Sequence, residues 1–151
     1  MVSLEEQPLG NSFEKVFIGN AGSAGGAGLD ITDVFSTYVY DGVSSALTIT
    51  NGIDLDGEGG LVWTKRRNSS RSHILFDSER GAASRLRIDT GAAANQSYSI
   101  TYNSNGYSWS GADNDTTIAG SEYASWTFRK APKFFDVVTW TGTGGTGSRT
   151  I

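Results

Sequence analysis

The chain has 151 residues, of which 37% are hydrophobic and 19% are charged, a composition that fits one globular domain. Gly, Ser, Thr and Asn supply about two fifths of it, and these residues favour turns and strands over helix interiors. The net charge of −4 argues against a nucleic-acid-binding domain. The absence of cysteine excludes a disulfide framework and thiolate metal sites, and the single histidine excludes multi-histidine metal sites. We therefore expect a non-enzymatic all-β protein without a cofactor.

Residues 1–30 are predicted to form an extended N-terminal arm. The acidic opening lacks the positively charged start of a secretory signal, and no apolar run approaches the roughly 18 residues that span a bilayer. Residues 19–28 are glycine-rich, without a large side chain, and indicate a linker. Before the linker lies an apolar cluster that we expect to dock on a partner protein or a sister subunit: Phe13, Val16, Phe17 and Ile18.

From residue 31 onward, short β-branched and aromatic runs recur between turn residues such as Asn-Gly and Asp-Gly. The runs predict strands at residues 35–40, 46–50, 61–66, 73–76, 85–88, 98–102, 107–109, 123–130 and 134–141. No amphipathic helix is predicted. Strict alternation within the runs predicts an antiparallel β-sandwich whose core contains Leu61, Trp63, Leu75, Leu86, Ile88, Trp126, Phe128 and Val138.

The sandwich is expected to occupy residues 31–141. Residues 142–151 begin with a glycine-rich run and end in β-branched residues, a pattern typical of a linker or of the start of a further domain. Gly142, Gly144 and Gly147 match a dinucleotide fingerprint in spacing, but no helix is predicted after them, so nucleotide binding is not expected.

Two acidic turns have residue types that bind cations. Residues 54–59 begin like a calcium-binding loop, but its twelfth position is Lys65 instead of glutamate. The second turn contains Asp113 and Asp115. Ordinary turns are the favoured interpretation of both, with a loosely held cation as the alternative.

Hydrolytic chemistry has few candidates. His73 and Asp77 could belong to a Ser-His-Asp site, and Asp77 with Glu79 could serve glycoside hydrolysis. No G-x-S-x-G elbow is present and arginines surround the acids, so we expect a structural hydrogen bond for His73 and salt bridges for the acids.

Two further features could contact partners. The basic run 65–67 with Arg71 fits either a polyanion or subunit contact or a solvated turn that protects a sheet edge. Tryptophans on sandwich strands are usually core residues, and Trp109, which lies nearest a loop, is with Tyr107 the best candidate for an exposed surface that stacks on a glycan.

Three segments resemble a known family: Gly-Leu-Val-Trp-Thr-Lys at 60–65, His-Ile-Leu-Phe-Asp-Ser-Glu-Arg-Gly at 73–81, and Ala-Ser-Trp-Thr-Phe-Arg-Lys-Ala-Pro-Lys followed by Phe-Phe-Asp-Val-Val-Thr-Trp-Thr-Gly at 124–142. Over residues 47–151 the chain is similar to the concanavalin A-like, laminin-G-like sandwich repeat of bacteriophage virion and tail-fibre proteins. The resemblance implies a lectin-like jelly roll with a structural or host-attachment role in the virion, other virion proteins as partners, and a homo-oligomer, namely a trimer. The alternative is a carbohydrate-binding module of a secreted or surface protein that binds a host glycan. Neither nucleic acid nor membrane is an expected partner.

Overall fold

The computed structural model describes residues 28–90 and 99–142, and most of the predicted arm and of the predicted segment 142–151 lies outside them. Within the described residues the chain forms one helical turn and eight strands. Their bounds are α1 Ile31–Val34, β1 Phe35–Asp41, β2 Leu47–Thr50, β3 Gly60–Arg66, β4 His73–Asp77, β5 Arg85–Arg87, β6 Ile100–Asn103, β7 Gly106–Trp109 and β8 Glu122–Arg129.

The strands form two packed antiparallel sheets, which confirms the all-β sandwich. One sheet has five strands in the order β1-β8-β3-β4-β5, and the other has three in the order β2-β7-β6. In the described residues, eight of the nine predicted strands are present, with ends that differ by at most two residues. The β6–β7 hairpin turns at Gly106, whose φ of +136° suits glycine, and a Cβ there would collide with the carbonyl oxygen of Ile49.

The ninth predicted strand, residues 134–141, is wrong. After β8 the chain makes a tight turn, closed by a bridge between Ala131 and Phe135, with Lys133 at a φ of +65°. Residues 136–140 then run without regular structure and pair with no strand of the described residues.

The helical turn α1 was not predicted. Its N-cap is Asp30, whose side chain accepts a hydrogen bond of 2.9 Å from the backbone N–H of Thr32. That hydrogen bond also lowers the pKa of Asp30. A single capped turn is too short to show helical periodicity in the sequence.

The core lies between the sheets and uses the opposite face of the large sheet from the one predicted. Its buried members are Ile49, Ile53, Leu55, Val62, Ile74, Phe76, Ile100, Tyr107 and Trp109. None of the eight predicted core residues belongs to it. Six are only partly buried on the other face (Leu61, Trp63, Leu75, Leu86, Trp126 and Phe128), and Ile88 and Val138 are 51% and 52% exposed.

The error in the predicted core has a physical cause. On the core side, β3 and β8 carry hydroxyl residues, including Thr64 and Ser125, and both are fully buried because they are hydrogen-bonded within the sandwich. Ser125 accepts a 2.6 Å hydrogen bond from the hydroxyl of Tyr107 on the opposite sheet. The sequence alone does not distinguish a polar residue that is buried and hydrogen-bonded from one that is exposed to water.

A second hydroxyl, that of Tyr40, joins both sheets to the loop before β8. It accepts a hydrogen bond from Trp109 Nε1 at 3.0 Å, donates to the carbonyl of Thr116 at 2.8 Å, and lies 3.2 Å from Thr64 Oγ1. The hydroxyl of Tyr102 is also buried, but it has no hydrogen-bond partner among the described residues. Substitution of each tyrosine by phenylalanine therefore gives a matched pair of variants for measuring how much the Tyr40 hydrogen bonds contribute to stability.

We expect Tyr40→Phe to lower the free energy of unfolding by about 1–3 kcal/mol, because it leaves Trp109 Nε1 and the Thr116 carbonyl without a buried partner. Tyr102→Phe removes a hydroxyl that makes no hydrogen bond, so its effect should be neutral or stabilising. Urea unfolding of both variants measures the difference. Equal losses in the two variants would contradict a structural role for the Tyr40 hydroxyl.

The buried tyrosines also predict alkaline instability. Burial raises the pKa of Tyr40, Tyr102 and Tyr107 above the usual value near 10. Their contribution to stability is therefore complete below pH 10 and is lost as the pH rises above 10, where the unfolded chain releases these protons and the folded chain retains them. Each such group contributes a slope of up to about 1.4 kcal/mol per pH unit.

Urea unfolding midpoints should fall steeply above pH 10, and Tyr102→Phe should make that fall shallower without lowering stability at pH 8. Tyrosinate absorbance, recorded in the same samples, should show a step that coincides with unfolding, because Tyr40, Tyr102 and Tyr107 release their protons only when the chain unfolds. A midpoint that stays constant up to pH 11 would show that these hydroxyls titrate normally.

Candidate interaction surface

The side of the five-stranded sheet that faces away from the three-stranded sheet is apolar and aromatic. We call it the outer face; its members are Phe35, Leu61, Trp63, Leu75, Leu86, Trp126 and Phe128. They alternate with the core residues along each strand, so they project to the opposite side. All seven side chains are partly exposed.

Strand register aligns these residues in rows across the sheet. Trp126 lies opposite Trp63, Trp63 opposite Leu75, and Leu75 opposite Leu86, which gives an apolar row across four strands. In the neighbouring row, Phe128 of β8 lies between Phe35 of β1 and Leu61 of β3. The outer face is therefore continuous from the β1 edge to the β5 edge.

Aromatic contacts order this face. The ring centroids of Trp63 and Trp126 are 5.0 Å apart, and those of Phe35 and Phe128 are 4.9 Å apart. Phe135 packs on Phe128 from beyond the sheet, with centroids 5.2 Å apart. In the part of the chain that the structure describes, this is the single aromatic ring contact that reaches the face from outside the five strands.

His73 supports the same surface. Trp63 Nε1 donates a 3.1 Å hydrogen bond to His73 Nδ1, which is the structural hydrogen bond expected for this histidine. Asp77 lies at the other end of the five-residue strand β4, roughly 13 Å away at the usual rise per residue. The two side chains therefore cannot form a catalytic dyad within one chain.

The acidic residues are engaged in turns and ion pairs. The carboxylate of Asp77 is fully buried, accepts a hydrogen bond from the backbone N–H of Arg80 and pairs with its guanidinium. Glu79 pairs with Lys130 at 2.6 Å. The expected salt bridges are thus present, and Asp54 accepts a 2.9 Å hydrogen bond from the Gly57 N–H, as in an ordinary turn.

The second acidic turn is tied to β5. Asp113 and Asp115 are buried, and Arg85, itself buried, lies 2.5 Å from the first carboxylate and 3.7 Å from the second. Arg87 lies 3.0 Å from Asp115. Residues 28–90 and 99–142 contain no group of three or more His, Asp or Glu side chains arranged to hold a metal ion. Nor does that part of the chain contain a helix long and apolar enough to cross a bilayer.

The basic run is largely satisfied by its own surroundings. Lys65 donates to the backbone carbonyls of Arg66 and Ser69 at 2.8 and 3.1 Å, and Arg67 pairs with Glu122 at 2.7 Å. These contacts favour a structural turn at the end of β3 over a dedicated polyanion site. Arg71 is exposed.

The predicted exposure of Tyr107 and Trp109 is wrong. Tyr107 is 0% exposed and Trp109 2% exposed, because both side chains of β7 point into the core and each donates a hydrogen bond to the opposite sheet. A side chain without accessible surface cannot stack on a sugar. The predicted docking residues Phe13, Val16, Phe17 and Ile18 lie outside the described residues.

An open groove of about 560 Å³ lies at one end of the molecule, between Glu58 and residues 130–136. It is charged: Lys130 lies 2.6 Å from Glu79 and 3.4 Å from Asp136. The hydrogen bond to Glu79 raises the pKa of Lys130, so this amine remains a cation at neutral pH. Lys130 is already paired with Glu79 and Asp136, so the outer face is the stronger candidate for binding a partner.

Sequence reasoning missed the outer face because it assigned those residues to the core. The available signal was that β3 and β4 are apolar on both faces, with Leu61 and Trp63 on one side of β3 and Val62 on the other. A strand of an antiparallel sheet with one solvated face is expected to alternate apolar with polar residues. Apolar residues on both faces indicate a surface that is built for contact.

Comparison with curated proteins and with solved structures finds no match. Comparison with protein families matches residues 30–151 to a domain of unknown function, DUF7483. The match begins at the N-cap of α1 and includes all eight strands of the sandwich. The chain therefore belongs to the DUF7483 family.

Proposed function

We propose that this chain is a non-enzymatic structural component of a bacteriophage particle, a tail fibre or tail-associated protein anchored by its N-terminal region. Its partners are other virion proteins and further copies of itself, and its location is an exterior appendage of the virion. The resemblance of residues 47–151 to virion sandwich repeats supports a place in a bacteriophage particle. The apolar outer face is the observation that supports a role in assembly.

The composition of the outer face supports a protein contact over solvent exposure. Contiguous apolar patches on a soluble protein mark interaction sites, and aromatic residues are enriched at the centres of protein interfaces. Here Trp63, Trp126 and Phe128 lie on the neighbouring strands β3 and β8, Phe35 lies beside them on the edge strand β1, and all four are partly exposed. No charged side chain separates Trp126, Trp63, Leu75 and Leu86 within their row.

A carbohydrate-binding module of a secreted or surface protein is the alternative function. Such a module needs an exposed aromatic ring to stack on a sugar, and Tyr107 and Trp109 cannot supply one. Trp140, which is 66% exposed, is the most exposed aromatic residue of the described chain and the first ring to test for this alternative. Specific binding on a glycan array that is lost in Trp140→Ala would support the alternative over the assembly role.

The arm should be required for entry into particles. Deletion of residues 1–28 removes no part of the two sheets, so the shortened chain should fold and stay soluble, as circular dichroism and thermal unfolding would show. It should be missing from purified particles analysed by mass spectrometry. Normal incorporation would show that the arm is not the anchor, and failure to fold would show that it belongs to the sandwich.

Disruption of the outer face should also prevent assembly without unfolding the domain. Leu86→Lys places a charge at the partly exposed end of the apolar row on the short edge strand β5, where we expect it to change stability by no more than about 1 kcal/mol. The matched control is Val43→Lys, which makes the same change of character at a loop residue that is 45% exposed and lies off this face. Particle incorporation should fall in the first variant only, and equal incorporation of both would contradict an assembly role for the face.

A further inference from the structure

The two edges of the five-stranded sheet differ in how they are protected. β5 is three residues long and consists of Arg85, Leu86 and Arg87, which makes it a short, charged edge. β1, at the other edge, has seven residues paired without a bulge to β8, and no strand lies on its other side in the described residues. Short, charged edges resist pairing with another strand, whereas long regular ones permit it.

The middle of β1 is open to a new neighbour. Tyr38 is 39% exposed and Val39 is 63% exposed, and residues 36–40 contain no charge and no proline. The backbone groups of β1 that point away from β8 have no strand to bond with in the described residues. β1 is therefore a ready acceptor for an added strand.

A donor with matching properties exists in the same chain. Residues 136–140, Asp-Val-Val-Thr-Trp, have strand-forming side chains but no strand partner in the part of the chain described, and Val138 and Trp140 are 52% and 66% exposed. They resemble the entry into β1, where residues 33–38 read Asp-Val-Phe-Ser-Thr-Tyr. Each copy of the chain thus presents one unpaired edge and one unpaired strand-like segment.

The donor and the acceptor are not paired within one chain. Phe135 packs on Phe128 near the end of β8, and Asp136 lies 3.4 Å from Lys130, so the segment leaves the sheet at the end of β8. From there, residues 136–140 form no ladder with β1. The exposure of Val138 and Trp140 makes this segment available to another molecule.

We propose that residues 136–140 of one copy add as a strand to the free edge of β1 in a second copy. Main-chain hydrogen bonds would supply affinity, and alternate side chains, Val138 and Trp140, would pack beside the exposed Val39 and the outer face. The acceptor segment 36–40 is uncharged and Asp136 is the single charged residue of the donor segment 136–140, so no like charges meet between these segments. A second copy fits this edge because every copy brings one donor for each acceptor.

The contact has a specific symmetry. It joins two different surfaces, so it is heterologous and can close into a ring such as a trimer. This inference rests on the homo-oligomer part of the proposed function, and it assigns the surfaces that would form the oligomer. A symmetric pairing of β1 with β1 would instead give a dimer and leave residues 136–140 unused.

Two variants separate these arrangements. Val39→Lys charges the acceptor edge at a residue that is 63% exposed, and Thr139→Pro removes a backbone donor from a segment that makes no strand pairing in the described residues, so neither should unfold the sandwich. Self-association of the purified full chain is measured by light scattering and sedimentation over a range of concentrations. We expect the wild type to associate and the association constant of each variant alone to fall at least tenfold, about 1.4 kcal/mol.

An equimolar mixture of the two variants gives the sharpest test. Each variant retains the surface that the other lacks, so the mixture should form dimers that contain one of each and that do not grow further. Ile88→Lys, at an exposed apolar residue beyond β5, is the control and should associate like the wild type. Thermal unfolding of each variant confirms that the sandwich remains folded.

Three results would overturn the inference: a wild-type chain that is monomeric throughout, variants that associate like the wild type, or a mixture that does not restore association. A monomeric chain that still enters particles would overturn the strand addition and leave the proposed role in the virion intact. If the variants associate as expected but the chain never enters particles, the strand addition stands and the proposed role in the virion is overturned.

Discussion

The hydroxyl of Tyr40 is the interaction on which the arrangement of the sandwich depends. It binds Trp109 of the small sheet and the Thr116 carbonyl of the long loop, and it approaches Thr64 of its own sheet, all within 3.2 Å. Because a buried polar atom without a partner is costly, each of these groups fixes the position of the others. Tyr123 acts in the same way on the loop, where its hydroxyl accepts from the Ile118 N–H and donates to the Asn114 carbonyl.

This polar network determines where the apolar residues of the large sheet are placed. The core side of β3 and β8 holds Thr64, Ser125 and Thr127, so part of the space between the sheets is joined by hydrogen bonds instead of apolar contacts. The larger apolar side chains, Trp63 and Trp126 among them, lie on the outer face and are only partly buried. Full burial of such a side chain contributes roughly 1.5–3 kcal/mol, and the unburied part remains available for association.

Much of the fold could be predicted from the sequence, since strands depend on local alternation and turn residues, both of which are visible in the chain. The face that each strand turns to the core could not be predicted, because Leu61 and Val62 are both apolar and the burial of Thr64 depends on Tyr40, a partner 24 positions away. The same limit explains Trp109: proximity to a loop suggested exposure, whereas its indole hydrogen bond to Tyr40 requires burial. The ion pair of Arg85 with Asp113, 28 positions apart, has no local signal either.

The segment that was wrongly predicted as a strand illustrates the difference between propensity and structure. Residues 136–140 carry β-branched and aromatic side chains, which is the whole of what a sequence can show about a strand. A strand also requires a neighbour for its backbone, and within the described chain that neighbour is absent. Residues 136–140 therefore combine strand propensity with an exposed valine and an exposed tryptophan, but they pair with no strand of the described residues. Pattern and single-chain structure disagree in this segment because side chains set strand propensity, whereas a neighbouring strand is needed to form the ladder.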